Sequence, residues 1–347
     1  MLDVVIKAKE MGIYTIVCDY SVTSPAKLIA DKSYDISTSD IGTLVKIGIE
    51  EKIDGVFTAF EDLNTWNALK ICQRLRLPFY ATEKQLELTS NKMSFKDFCR
   101  KCDVSVVPGY FATSLQDITS LRTIVFPIII KPADSYGTKG ITVCYNSSDI
   151  QSAFEKAVSF SKQKKVIVEP FFEGYGVEMY YTVIKGVPYL SAIADRYVYK
   201  QEDGTPPLPT ATIFPSKHIV EYCDEMNYKV KNLIRQLEIN DGLLLFQSVL
   251  DKGAFYLYEM AYRLTGEQHY QIIQKETNVD LLKMMIELSL KGIIDNKYKI
   301  VNYDKECLPF PACNLAVLLK KGKIKSIKRL DEILRIPEVI SYVQTLK

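Results

Sequence analysis

At 347 residues the chain is long enough for roughly two to three domains. Its 44 Lys and Arg against 42 Asp and Glu leave a net charge of +2, which argues against a nucleic-acid binder, because phosphate contacts need a concentrated basic face. Hydrophobic residues make up 47%, enough for a real core, yet no apolar run approaches the roughly 18 residues that cross a bilayer, and charges interrupt Met1–Glu10 where a signal peptide would be apolar. The expectation is a cytoplasmic protein with neither a membrane nor a nucleic-acid partner.

In chain order, Leu2 to Met11 reads as a helix stopped by Gly12, and Tyr14 to Cys18 as a short strand. Asp40 can cap a helix running to about Glu51. Asp54 to Thr58 is a second strand, Leu63 to Leu75 a helix, and Leu77 to Tyr80 a third strand. Strands alternating with helices imply a doubly wound parallel sheet. Such a domain normally opens on a strand and a glycine-rich turn, whereas this chain opens on a helix, so its first strand is expected to lie outside the given chain.

Thr82 to about Cys102 reads helical, with Thr82 as a cap, and Val104 to Tyr110 extended. Phe126 to Pro132 and Ile141 to Tyr145 read as hairpin partners, followed by a helix from Ser148 to Ser161 and a strand from Val166 to Glu169. This block predicts a small α+β lid. Strands at Glu178 to Ile184 and Tyr189 to Ile193 precede a proline-rich loop, Gln201 to Pro215, and a helix from Lys217 to Leu237. Gly242 to Leu250 and Ala254 to Met260 form antiparallel strands about the turn Asp251-Lys-Gly253. Asp280 to Leu290 is a helix, and Leu315 to Leu319 with Ile324 to Ile327 a last hairpin whose lysines guard an exposed edge. The domain expectation is 1–82, then 83–300 with a lid over about 113–170, then 301–347.

The eight cysteines are scattered. Cys99 and Cys102 have CxxC spacing, but they lie in a helical pattern with no second Cys or His pair nearby, so buried helix cysteines outweigh a metal or redox motif. With two histidines, His218 and His269, a histidine base has few places to live, and a structural role for His269 is the simpler reading.

Two stretches could carry chemistry. Lys131 closes a strand ahead of a loop, Ser135 to Gly140, whose glycines let backbone approach a phosphate; a plain hairpin with a surface lysine competes with that reading. Glu259 ends a strand whose hairpin partner carries Gln247, and two oxygen-bearing side chains on adjacent strands suit Mg²⁺. Arg263 follows and could meet charge on a transferred phosphoryl group, against the simpler reading of a local Glu259–Arg263 ion pair. Arg196 could bind a substrate carboxylate, or be a surface arginine; the Gln201–Pro215 loop could face substrate, or be an inert connection.

The order of these features resembles the ATP-grasp superfamily, most closely one ATP-binding half of the carbamoyl-phosphate synthase large subunit and its single-unit relatives. A wound domain comes first, then Asn91-Lys92, the Lys131 strand and loop, Val168-Glu-Pro-Phe-Phe172, Gln247, and Glu259-Met-Ala-Tyr-Arg263. The resemblance implies a doubly wound pre-ATP-grasp domain, an ATP-grasp fold with an α+β lid, and MgATP as cofactor, with Mn²⁺ as the alternative ion. It implies that Lys92 and Lys131 contact ATP phosphates and that Ser135, Tyr136, Gly137, Thr138 and Gly140 close over them. Glu169 would accept from the adenine amino group, with backbone at Phe171 on the ring edge between Pro170 and Phe172, and Glu178 would reach the ribose. Gln247 and Glu259 would hold the metal, and Arg263 would stabilise the acyl-phosphate step; Arg196, from its own position, is the other catalytic candidate.

The implied activity is an ADP-forming carboxylate–amine ligase using an acyl phosphate, with small-molecule substrates and room for a homodimer. One departure stands out: the family usually has Asn two residues after the metal glutamate, and this chain has Ala261. That keeps a catalytically weak ATP-binding module open as an alternative, beside a partial carbamoyl-phosphate synthase unit.

Overall fold

The computed structural model describes residues 1–120, 124–134, 139–200, 204–295, 297–300, 310–319, 322–333 and 335–341. Its first part is mainly helical. Helix Leu2–Glu10 ends before Gly12, whose φ of +73° suits a residue without Cβ. Asp40 accepts from the Thr43 N–H and caps Ile41–Glu50. Two parallel strands, β1 (Ile16–Cys18) and β2 (Lys32–Tyr34), pair with Ile16 opposite Lys32.

Two expected strands do not form. Asp54 to Thr58 and Leu77 to Tyr80 join no ladder. Their apolar residues pack against later elements instead. A Cβ on Gly55 would stand 2.7 Å from the Ser289 carbonyl, and Tyr80 and Tyr262 each donate a hydroxyl to the other's carbonyl, at 3.1 and 2.9 Å. A short apolar run says only that a segment is buried, not that it is paired.

The helix expected from Thr82 to Cys102 is two. Thr82 opens Glu83–Ser90 through a capping box with Gln85. The Asn91 side-chain oxygen then accepts from the Met93 and Ser94 N–H groups at 3.1 Å each and starts a new helix, Lys92–Lys101.

Beyond it lies a four-stranded antiparallel sheet in the order β3 (Tyr110–Ala112), β6 (Val166–Pro170), β4 (Ile128–Pro132), β5 (Thr142–Cys144), backed by helix Ile150–Phe160. The main sheet has six antiparallel strands: β11 (Ala254–Ala261), β10 (Gly242–Asp251), β7 (Tyr175–Ile184), β8 (Val187–Tyr199), β9 (Leu208–Phe214) and β12 (Ala312–Leu315), side by side in that order.

Alternation along β7 builds both layers around this sheet. Met179, Tyr181 and Val183 join a core with Tyr222, Val230 and Leu233 of helices Ile219–Glu225 and Asn227–Gln236. Tyr180 faces the opposite core, with Leu243, Leu245 and residues of helices His269–Thr277 and Leu281–Lys291.

The proline-rich segment is not all loop. Its second half is β9, and Pro209 is accommodated where β8 shifts register between Tyr197 and Val198, outside the Ala211–Phe214 stretch that pairs with β12. The C-terminal hairpin is also corrected. Leu315 belongs to β12, which extends the main sheet, and Ile324 to Ile327 join no strand. An available sheet edge offers a ready row of backbone partners, which a free hairpin must build alone. Lys320 and Lys321 of its turn lie outside the described residues.

Candidate functional site

One helix joins the two halves of the candidate site. Lys92 and Lys96 sit one turn apart on the same face of Lys92–Lys101, about 6 Å along its axis. Lys92 Nζ lies 3.8 Å from Glu259 Oε1 at the main sheet. Lys96, fully buried, donates to the Val107 carbonyl at 2.7 Å and pairs with Glu169 Oε1 at the lid sheet.

Lys131 completes the lid half by donating to Glu169 Oε2 at 2.7 Å. Strands β4 and β6 are antiparallel neighbours, which brings these two side chains together. Burial pushes the Glu169 carboxyl up, but Lys131 and Lys96 outweigh it and hold the group below the ordinary glutamate range. Burial in turn pushes the Lys96 amine down to about 8, with Glu169 opposing. Gly109 fits closely against this carboxylate, since a Cβ there would stand 2.8 Å from Glu169 Cγ.

Downstream, Pro170 ends β6 opposite Ile128, and the Phe171 N–H, expected at an adenine edge, donates to the Pro127 carbonyl at 2.9 Å. The Phe172 ring lies 5.1 Å from that of Tyr256 on β11. Gly140 has φ +77°, and a Cβ there would stand 2.7 Å from the Pro132 ring. Ser135, Tyr136, Gly137 and Thr138 lie outside the described residues.

The main-sheet half is a row of oxygen donors on three adjacent strands. Glu178 on β7 stands opposite Gln247 on β10, which stands opposite Glu259 on β11. A bulge follows Gln247. Gln247 donates its amide to Glu178 Oε1 at 2.8 Å, so its own carbonyl oxygen remains an acceptor.

Glu178 is fully buried, and its second oxygen accepts from Tyr180 at 2.6 Å. This residue, expected to reach a ribose, lies in the oxygen row with both oxygens hydrogen-bonded. Arg196 adds a positive charge there, with Nε 3.4 Å from Glu178 and Nη1 donating to the Tyr258 hydroxyl at 3.1 Å.

Arg263 pairs with Asp62 rather than in the local ion pair considered from the sequence. Its Nε and Nη2 donate to Asp62 at 2.6 and 3.2 Å, and Nη1 to the Leu264 carbonyl at 3.0 Å. No ion pair with Glu259 forms, because the chain leaves β11 at Ala261 and turns this side chain toward helix Asp62–Leu75. Ala261 itself is buried in the apolar cluster with Leu243 and Leu245.

Sequence reasoning missed Lys96, Asp62 and a cluster of Glu178, Glu267 and His269 whose ligating atoms lie within 4.8 Å of one another. For Lys96 a signal was present, four residues after Lys92 on a helix; for Asp62 there was none. His269 is buried, bonded to the Tyr180 hydroxyl, and held neutral with its pKa pushed down to about 4 by burial. Cys99 and Cys102 are buried free thiols.

The family described as "Carbamoyl-phosphate synthase L chain, ATP binding domain" matches residues 91–186, the stretch that carries Lys92, Lys96, Lys131, Glu169 and Glu178. The chain has the ATP-grasp fold. The chain is 26% identical over 268 residues to the formate-dependent phosphoribosylglycinamide formyltransferase of Sulfolobus acidocaldarius, a match covering 76% of the chain and 61% of that protein. It is 22% identical to the carbamoyl phosphate synthase large chain of Clostridium acetobutylicum, over 75% of the chain and 24% of the synthase. It thus spans less than two thirds of either relative. The crystal structure of an L-amino acid ligase from Bacillus licheniformis shares the ATP-grasp fold, with a TM-score of 0.77 at 16% identity, over 96% of this chain and 82% of that one.

Proposed function

We propose that this ATP-grasp chain is an ADP-forming ligase that joins a carboxylate to an amine through an acyl phosphate. The observation that carries the reading is the helix Lys92–Lys101, which ties the Gln247–Glu259 pair to the Lys131–Glu169 pair. In this reading Glu169 accepts from the adenine amino group, Lys131 and Lys92 neutralise phosphate oxygens, and the segment 135–140 covers them. The donors fit a hard cation: Glu259, with 46% of its side chain exposed, and the carbonyl oxygen of Gln247 oppose each other directly. Mg²⁺ bound there, or Mn²⁺ in its place, would draw charge from the β,γ-phosphates.

A substrate carboxylate oxygen attacks the γ-phosphorus and ADP leaves; the amine nitrogen then attacks the acyl carbon, releasing inorganic phosphate and a proton. Such chemistry is mostly positioning and charge neutralisation, so it needs few acids or bases. In this reading Arg196, beside Glu178, meets a substrate carboxylate, since the Arg263 guanidinium is already bonded to Asp62. The test is ADP release that requires both a carboxylate and an amine from a substrate panel. Glu259→Ala is expected to lower turnover at least about a hundredfold; unchanged turnover in Glu259→Ala and Gln247→Ala together would remove this site.

Arg263 and Ala261 also favour a second reading, a nucleotide-binding module without chemistry. It predicts tight MgADP binding and no phosphate release with any pair in the panel.

A further inference from the structure

Lys96 is the side chain that the nucleotide reading above leaves without a task. It is a fully buried lysine, its ammonium bonded to a carbonyl at Val107 and paired with Glu169. Val107 is itself pinned to the main sheet, since its N–H donates to the Leu257 carbonyl at 2.9 Å. The Glu169 carboxylate is therefore held on three sides: by Lys96 on one oxygen, by Lys131 on the other, and by Gly109 against its Cγ. Of the two lysines, Lys131 ends a strand just before the segment 135–138 and could turn toward a phosphate. Lys96 points inward from a helix and has no such alternative.

We infer that Lys96 is a positioning residue for base selection: it fixes one Glu169 oxygen so that the other meets the 6-amino group of adenine and turns away 6-oxo purines. This rests on the proposed role of Glu169 at the adenine. An ionised carboxylate only accepts hydrogen bonds, so it pairs with an amino group and repels a carbonyl oxygen. A buried carboxyl stripped of a cation tends to take up a proton, and its O–H then serves a 6-oxo base equally well. Two lysines around one carboxylate also leave a buried excess of positive charge, which a purely structural ion pair would not need.

The test measures binding of MgADP and MgIDP to the full chain by calorimetry, because these ligands differ at the purine 6-position and require no knowledge of the substrate. Wild type is expected to prefer MgADP. Lys96→Met should lower that preference about tenfold or more, the weight of one hydrogen bond to a charged group. Lys96→Gln, which keeps a donor for Val107, should lower it likewise and serves if the methionine variant does not fold. In a Glu169→Gln background, Lys96→Met should change the preference no further. Equal weakening of both ligands with the preference intact, or an effect that adds to that of Glu169→Gln, would overturn the inference while leaving the nucleotide site standing. Wild type binding neither ligand would instead remove the nucleotide reading, and this inference with it.

Discussion

His269 and Tyr180 show how a single buried pair sets a pH dependence. The Tyr180 hydroxyl donates to Glu178, so the imidazole Nδ1–H is the donor to Tyr180, and Nε2 has no hydrogen-bond partner among the described residues. Burial keeps the ring neutral down to about pH 4 in the folded chain, whereas an unfolded histidine protonates near pH 6.5. Between those values the unfolded state binds the extra proton, so stability rises with pH and falls on acidification. The loss attributable to this residue is about 2 kcal/mol by pH 5. Urea unfolding at pH 7.5 and pH 5 would show it as a steeper acid loss in wild type than in His269→Gln. Equal slopes in the two proteins would mean that the ring titrates normally in the fold.

Helix Lys92–Lys101 is the element on which the site depends, and its start is fixed by one side chain. Asn91 satisfies two N–H groups that an alanine would leave to water. Asn91→Ala is expected to cost about 1 kcal/mol in stability. Because Lys92 is the first helical residue, loosening that turn should also move its ammonium away from Glu259 and weaken MgADP binding severalfold. A thermal melt lowered with binding unchanged would show that Lys92 is not held by the cap.

This element also marks where local signals stopped being readable. Thr82, Asp40 and the turn at Asp251-Lys-Gly253, with φ of +49° at Lys252 and +81° at Gly253, announce themselves because their chemistry is local. The opposition of Gln247 and Glu259 does not, because the two-residue hairpin alone would set Gln247 against Tyr258, and the bulge after Gln247 moves it to Glu259. Asn91 lay inside a stretch that read as one helix from Thr82 to Cys102, so its capping of a second helix did not stand out. The strand β9 was hidden by its proline, and the Glu178–Gln247 contact depends on which of several strands lies beside β10.

At the scale of the molecule, long-range ties bind the first 80 residues to the chain that follows β11, among them Asp3 with Tyr270, Tyr80 with Tyr262, and Asp62 with Arg263. No local pattern could reveal them, since Asp62 and Arg263 are 201 residues apart. The last tie is the one that touches function. A two-point guanidinium–carboxylate pair, with 16% and 24% of its side chains exposed, should be worth about 1 to 3 kcal/mol. Asp62→Ala, Arg263→Ala and the double variant, compared by urea unfolding, should therefore show a coupling of at least about 1 kcal/mol.

The same three proteins separate structure from chemistry. If Arg263 serves only to hold the first 80 residues, Arg263→Ala and Asp62→Ala should lose the same stability, and folded protein should keep its MgADP affinity and its phosphate release. If Asp62 instead aims the guanidinium at charge developing on a transferred phosphoryl group, both variants should lose turnover, with Arg263→Ala losing more, while MgADP affinity changes little. The geometry favours the first outcome, because Nε, Nη1 and Nη2 of the guanidinium each already have an acceptor. A large loss of phosphate release in Arg263→Ala at full stability would reverse that assignment and restore Arg263 to the reacting centre.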